Sequence, residues 1–319
     1  MEKKKKVCLR FRDSQLIMFL AEYGIITNEN VKLLYKSEYY YKNRLASLAK
    51  GEMVERLYGK VVLGRKGKNY LSKIGIRYRN INRNENYKKR IEGISDIACK
   101  LKDSGWYFEP SWRCEVNTYT KRGNRFIGVT SREKRWYEED DENYFKRSFI
   151  VYFIHKDITT KELKYIYREI ERHSYKFYGL IVFSEIEIER YKSKLEKYRF
   201  SESYVIPFNK NIWKYLKLIK DENYMKNKTE EIFGDALFSL NEKSFFEEYY
   251  TKENDAYTYI YYMPFVNYYM LHYINFEATS NLFNGTKAKV VCLDTCIDYV
   301  RKYLDECVEV TCVSNEDII

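Results

Sequence analysis

Cys292, Cys296, Cys307 and Cys312 are the residues whose type first suggests chemistry, because thiolates bind zinc. Their intervals of 3, 10 and 4 residues are not those of a zinc ribbon. Cys292 and Cys312 also fall in apolar runs that read as core strands, where cysteine is commonly just buried. Histidine offers little more: His155, His173 and His272 are widely separated, so no histidine cluster stands beside a nucleophilic tyrosine. With 34 tyrosines, no single one is marked out. No glycine-rich phosphate loop of the Walker or dinucleotide type is present. These residues predict no catalytic centre, no metal and no cofactor.

The side chains best suited to recognition lie at the other end of the chain. Residues 1–90 carry 23 Lys/Arg against 8 Asp/Glu, a net of +15, whereas residues 91–319 sum to −4. The whole-chain excess of +11 is therefore N-terminal. Such asymmetry fits a polyanion at one end and a different task at the other. Inside the basic segment, Ser37, Tyr39, Tyr40, Lys42, Asn43, Arg44 and Ser47 stand close together. Asparagine can pair with adenine edges, and lysine with guanine or phosphate. Arg65, Lys66 and Lys68 make a second cluster, suited to phosphates or a minor groove. Lys3 to Lys6 fit a flexible arm.

Positioning these side chains requires particular elements. Leu16, Ile17, Phe19, Leu20 and Tyr23 form a helical apolar stripe that Gly24 ends. Thr27 caps a second, short helix through Val31, Leu33 and Leu34. Ser37 caps a third, about 37–50, whose Tyr41, Leu45 and Leu48 face the core and whose Gly51 stops it. Met53 to Tyr58 alternates like a strand, Gly64 to Lys68 reads as a basic tip, and Asn69 to Ser72 as the returning strand. Three helices followed by a strand, tip and strand predict a winged helix-turn-helix, with helix three entering a major groove.

The segment Arg12 to Arg79 resembles the N-terminal winged helix of the replication-relaxation family of plasmids and other mobile elements. Arg12-Asp13 opening a helix, Ile26-Thr27 before helix two, and Ser37 to Leu48 as the basic helix carry the resemblance. So does Gly51 to Arg56 as the turn into the wing. Tyr70 to Gly75 follows the family's Tyr-x-Leu-Thr-x-x-Gly pattern loosely, with Ser72 one place early. The resemblance implies a restriction-endonuclease-like part after the winged helix. Active enzymes of that fold use an Asp on one strand and Glu-x-Lys on the next to hold Mg²⁺. Here Arg125 to Val129 has no acid, Tyr152 to Lys156 has no Glu before its Lys, and the Glu162-x-Lys164 of this region lies on a helix. A scaffold without its catalytic set is expected.

After a helix at 85–104, strands are expected at Trp106–Phe108 and Cys114–Thr118, and a loop at Lys134–Glu142. Phe149–Ile154, Leu180–Phe183 and Tyr204–Ile206 read as buried strands, with helices over 160–170 and 186–198 between them. The pattern recurs with strands near 257–263, 290–293 and 308–313 and helices near 266–283 and 295–304. Gly179 to Ser184 and Lys289 to Asp294 are each followed by a helix, which suggests two related α/β halves joined by Lys220–Thr229. Three modules follow: a winged helix at 1–84, an α/β nuclease-like domain at 85–222, and a second α/β module at 230–319. The last ninety residues carry 16 acidic against 6 basic residues, which suits protein contacts better than DNA.

No apolar run reaches the roughly 18–20 residues of a membrane span. The basic N-terminus lacks an apolar signal core, and an odd set of seven cysteines fits a reducing compartment, so a cytoplasmic protein is expected. The expected role is sequence-specific binding of double-stranded DNA, as a homodimer, in replication, relaxation or transfer, with proteins of those processes as partners. The alternative is a winged-helix transcriptional regulator with an α/β dimerisation or sensor domain.

Overall fold

The computed structural model describes residues 8–37, 39–81, 85–114, 125–135, 140–186, 195, 197–208, 212–221, 223–239, 249–253, 256–281 and 287–314. The Lys3–Lys6 arm, most of the expected strand 114–118 and most of the expected helix 186–198 lie outside them. The protein is a mixed α+β structure with three sheets, and it divides into two compact units, Met1–Pro110 and Ser111–Ile319.

The first unit runs α1 (Phe11–Tyr23), β1 (Ile25–Thr27), α2 (Asn28–Tyr35), α3 (Tyr40–Lys50), β2 (Val54–Leu57), β3 (Lys60–Leu63), α4 (Arg65–Lys73), α5 (Glu85–Asp103) and β4 (Tyr107–Pro110). Gly24 ends α1 in the left-handed region, its N–H donating to the Leu20 carbonyl at 2.8 Å. Thr27 caps α2, its hydroxyl accepting from the Asn30 N–H at 3.3 Å. The antiparallel sheet has the order β1-β3-β2. Leu16, Ile17, Leu20, Val31, Leu45, Leu48, Val61 and Leu71 fill the core beneath it.

The strand returning from β2 is Lys60–Leu63, not 69–72, and Arg65, Lys66 and Lys68 belong to α4, not to a hairpin tip. The tip is Tyr58-Gly59, between the paired Leu57 and Lys60, both with positive φ (41° and 82°), the backbone of a tight two-residue turn whose twist matches the flanking strands. Gly67 is needed for close approach, not for a loop: a Cβ there would run into the Met53 carbonyl oxygen. The helix expected as a link to the next module, α5, instead packs on α2 and β1 within the first unit. Ser95 Oγ donates to the Ile25 carbonyl at 2.6 Å, and Ile91, Ile94, Ile97, Ala98 and Leu101 are buried.

In the second unit the described elements are β5 (Gly128–Ser131), α6 (Asp141–Phe145), β6 (Phe149–Ile154), α7 (Thr160–His173), β7 (Gly179–Ser184) and β8 (Glu202–Pro207), then α8 (Ile212–Lys220) and α9 (Tyr224–Phe233). They continue through β9 (Leu237–Ser239), β10 (Tyr249–Glu253), β11 (Ala256–Met263), α10 (Tyr268–Asn281), β12 (Lys287–Leu293), α11 (Ile297–Tyr303) and β13 (Val308–Val313). Strands β6, β7 and β8 run parallel, and β5 joins β6 antiparallel. In the other sheet β11, β12 and β13 run parallel, and β10 joins β11 antiparallel. Every residue of β6 and β7 is buried, as expected of parallel strands covered on both faces. Phe265 meets Tyr204 and Tyr215 edge-on with centroids 5.7 and 5.6 Å away, inside this unit's core. Residues 134, 135 and 140 of the expected loop at 134–142 carry no regular structure, and its last two residues begin α6; the expected linker at 220–229 instead supplies most of α9.

Candidate nucleic-acid interface

Helix α3 is built to present one side. Leu45 and Leu48 are buried, whereas Tyr39, Lys42, Asn43, Ala46 and Lys50 are exposed. Residues 39, 43, 46 and 50 recur at helical spacing and form one stripe, with Lys42 beside it. Tyr39 is 80% exposed, which leaves its ring and hydroxyl open to a partner. Ala46 adds no bulk to the middle of that stripe. Ser37 serves the fold, its hydroxyl accepting from the Tyr40 N–H at 3.1 Å at the start of the helix. Tyr41 is only half-buried, and Ser47 likewise.

Arg44 faces the other way. Its guanidinium pairs with Asp13, whose side chain is completely buried in α1, and also donates to the Cys8 carbonyl at 3.1 Å. Tyr35 Oη donates to the same carboxylate at 2.6 Å, and the Arg10 N–H at 2.8 Å. Burial by itself raises the Asp13 pKa, but the bonds from Arg44, Tyr35 and Arg10 outweigh it and hold the carboxyl below its ordinary value. The Tyr35 phenol is pushed up by burial and then by Asp13. Arg44, expected among the DNA-facing residues, is instead placed as a brace joining α3 to α1. Tyr40 is partly engaged: Arg10 donates to its hydroxyl and lies over its ring at 5.6 Å.

Of the second basic cluster, Arg65 binds Glu52 at 2.7 Å, Lys66 is exposed, and Lys68 is half-buried. The Lys66 N–H donates to the Glu52 carbonyl at 2.9 Å, which sets the start of α4 beside the segment that leaves α3. The hairpin tip carries the exposed Arg56, Leu57 and Tyr58, which the sequence reading passed over because the tip was placed at the wrong turn. Its position is fixed: the Asn28 N–H donates to the Gly59 carbonyl at 2.9 Å, and Lys60 binds Glu92 at 2.6 Å.

Asp96 of α5 supports α2 from below, its Oδ1 accepting from Asn30 Nδ2 at 2.6 Å and Thr27 Oγ1 at 3.4 Å. Burial pushes its carboxyl up to about 6, against the opposing pull of Lys100. An acid with a raised folded pKa stabilises fully below its unfolded pKa, and that contribution is lost as pH rises through the folded one. Asp96→Asn is therefore expected to stabilise the first unit on the order of 1 kcal/mol at pH 8, with the gain fading toward pH 4. Thermal melts at the two pH values measure this; an equal gain at both would count against charge burial as the cause.

The second unit uses its best-placed acids for structure. Glu169 of α7 is buried and accepts from the Arg125 and Phe126 N–H groups at 3.0 and 2.8 Å, next to the β5–β6 strand pair. Glu162 closes a capping box with Thr159, accepting its N–H at 3.1 Å. Burial, then Lys176 and Arg172, pushes His173 down to about 4, so it is neutral at pH 7. Cys292 and Cys312 are register partners on β12 and β13, and burial pushes the Cys292 thiol up to about 12. Among the described residues, no group of three or more His, Cys, Asp or Glu could hold a metal ion, and no helix is long and apolar enough to cross a membrane. No family model, curated protein or solved structure matches this chain.

Proposed function

We propose that this chain is a sequence-specific, non-catalytic double-stranded DNA-binding protein of a plasmid or mobile element, acting in replication, relaxation or transfer. In this reading the first unit is a winged helix-turn-helix: α2 and α3 form the helix pair, and β2–β3 the wing. The observation that carries it is α3. Its outer stripe offers Tyr39, Lys42, Asn43 and Lys50 to a groove while its inner side is braced by the buried Asp13–Arg44 pair. A rigid helix with protruding amide and ammonium groups matches what base-edge readout needs. The surrounding charge supports the reading, since residues 1–110 hold 25 Lys/Arg against 12 Asp/Glu. The second unit is read as two related α/β halves, nuclease-like in descent, that organise a homodimer or recruit partners. The like strand directions of its two sheets support that relation.

Selection of bound duplexes from a random-sequence library by the full chain tests the proposal. A recurring motif, enriched at about 0.15 M salt, is expected, with half-sites paired about 10 base pairs apart if the protein binds as a dimer. Recovery of sequences without any shared motif would sink sequence-specific readout.

A further inference from the structure

The second unit holds a cleft of about 700 Å³ lined by cations from three separate stretches of chain. Arg132, Lys134 and Arg135 come from the segment after β5, Lys146 and Arg147 follow α6, and Lys220 ends α8. Glu133 and Asp221 are the acids that share the lining. A run of charge along one helix is usually a solvated face; convergence of distant segments on one concavity is not explained that way.

The floor and the rim differ. Arg132 is locked and neutralised: it binds both Glu202 oxygens, donates to the Ile219 carbonyl at 2.9 Å, and lies over the Phe149 ring at 4.9 Å. Tyr178 donates to Glu202 at 2.7 Å and Tyr204 donates to it as well, so the carboxylate is fully committed. Lys134, Arg135, Lys146 and Arg147 are exposed on the rim, with Arg135 stacked over Tyr144 at 4.8 Å and Lys146 beside Glu142 at 2.8 Å. Asn223 and Ser131 add neutral polar groups of the kind that meet phosphate oxygens.

We infer that this cleft is a second, sequence-independent site for the phosphate backbone of DNA. The identity of the polyanion rests on the reading of the protein as DNA-binding. A cleft with arginine and lysine on an open rim over a neutral aromatic floor suits a chain of phosphates. The competing occupant is the acidic last ninety residues of a second copy, which carry a net −10.

The test uses the full chain, with Lys134→Glu/Lys220→Glu as the cleft variant, the neutral Lys134→Gln/Lys220→Gln as its milder counterpart, and Lys42→Ala/Asn43→Ala as the α3 variant. Binding to short and long duplexes is followed by fluorescence anisotropy across a salt series, with thermal melts as a check on folding. The cleft variant is expected to bind the long duplex at least about tenfold more weakly, to lose about 2 from the slope of log K against log salt, and to keep its sequence preference. The glutamine pair removes the same two cations and should lose nearly as much of the slope with a smaller drop in affinity, so a folding defect in the charge reversal does not decide the matter. A folded cleft variant that binds as wild type overturns the inference and leaves the DNA reading standing; loss of self-association with unchanged DNA binding overturns it in favour of the acidic segment. If instead the α3 variant binds as wild type while the cleft variant fails, the cleft stands and sequence-specific readout by α3 falls.

Discussion

Asp13→Ala will destabilise the first unit by roughly 3 kcal/mol at pH 7, the scale expected when one partner of a buried ion pair is removed. The carboxylate has no solvent exposure, and three donors end on it: Arg44, Tyr35 Oη and the Arg10 N–H. Without it, the Arg44 guanidinium, itself 13% exposed, has no countercharge, and the fully buried Tyr35 hydroxyl loses its acceptor. Asp13→Asn keeps the shape and one acceptor but not the charge, and falls between alanine and wild type. Because the folded Asp13 pKa lies below its ordinary value, its contribution is present above about pH 4 and lost as pH falls through the folded pKa. The difference between wild type and variant should therefore narrow in acid. Urea unfolding at pH 7 and pH 3 reads it; a loss under about 1 kcal/mol at pH 7 would show that the brace is incidental.

Lys42→Ala with Asn43→Ala will weaken binding to the selected duplex by about 100-fold at fixed salt, as loss of two base or phosphate contacts should. Both side chains are exposed, so the melting temperature should stay put. Anisotropy against matched and scrambled duplexes separates the outcomes: specificity should collapse while weak, salt-dependent binding persists. A variant that still prefers the selected duplex with unchanged Kd would move recognition off α3. Arg44→Ala makes the contrasting case, since its first effect is on folding.

Much of the architecture was legible because periodicity is local. Phe149–Ile154 and Val308–Val313 were read with their observed bounds, and Thr27 was recognised as a cap. The misreadings came from information that is not local. Tyr58-Gly59 is a complete turn of two residues, and the basic run after it drew the tip along to 64–68. Gly64 and Gly67 read as loop residues, although they are there because the backbone of residues 52–54 lies against the start of α4. Arg44 was placed outward with its charged neighbours, and nothing near it in sequence announces an acid 31 residues earlier. The basic cleft was invisible for the same reason: its cations are separated by up to 88 positions, from Arg132 to Lys220.

The brace between α1 and α3 also sets how α3 moves. Tied to Asp13 through Arg44 and held at its start by the Ser37 hydroxyl, α3 has little route to local opening that does not break the core it shares with α1. Its amides should exchange with solvent water only when the whole unit opens, despite the exposed stripe. Under the proposed DNA-binding role, a helix already fixed in shape would give up little disorder on meeting its target, and right and wrong sequences would differ chiefly in how long they are held.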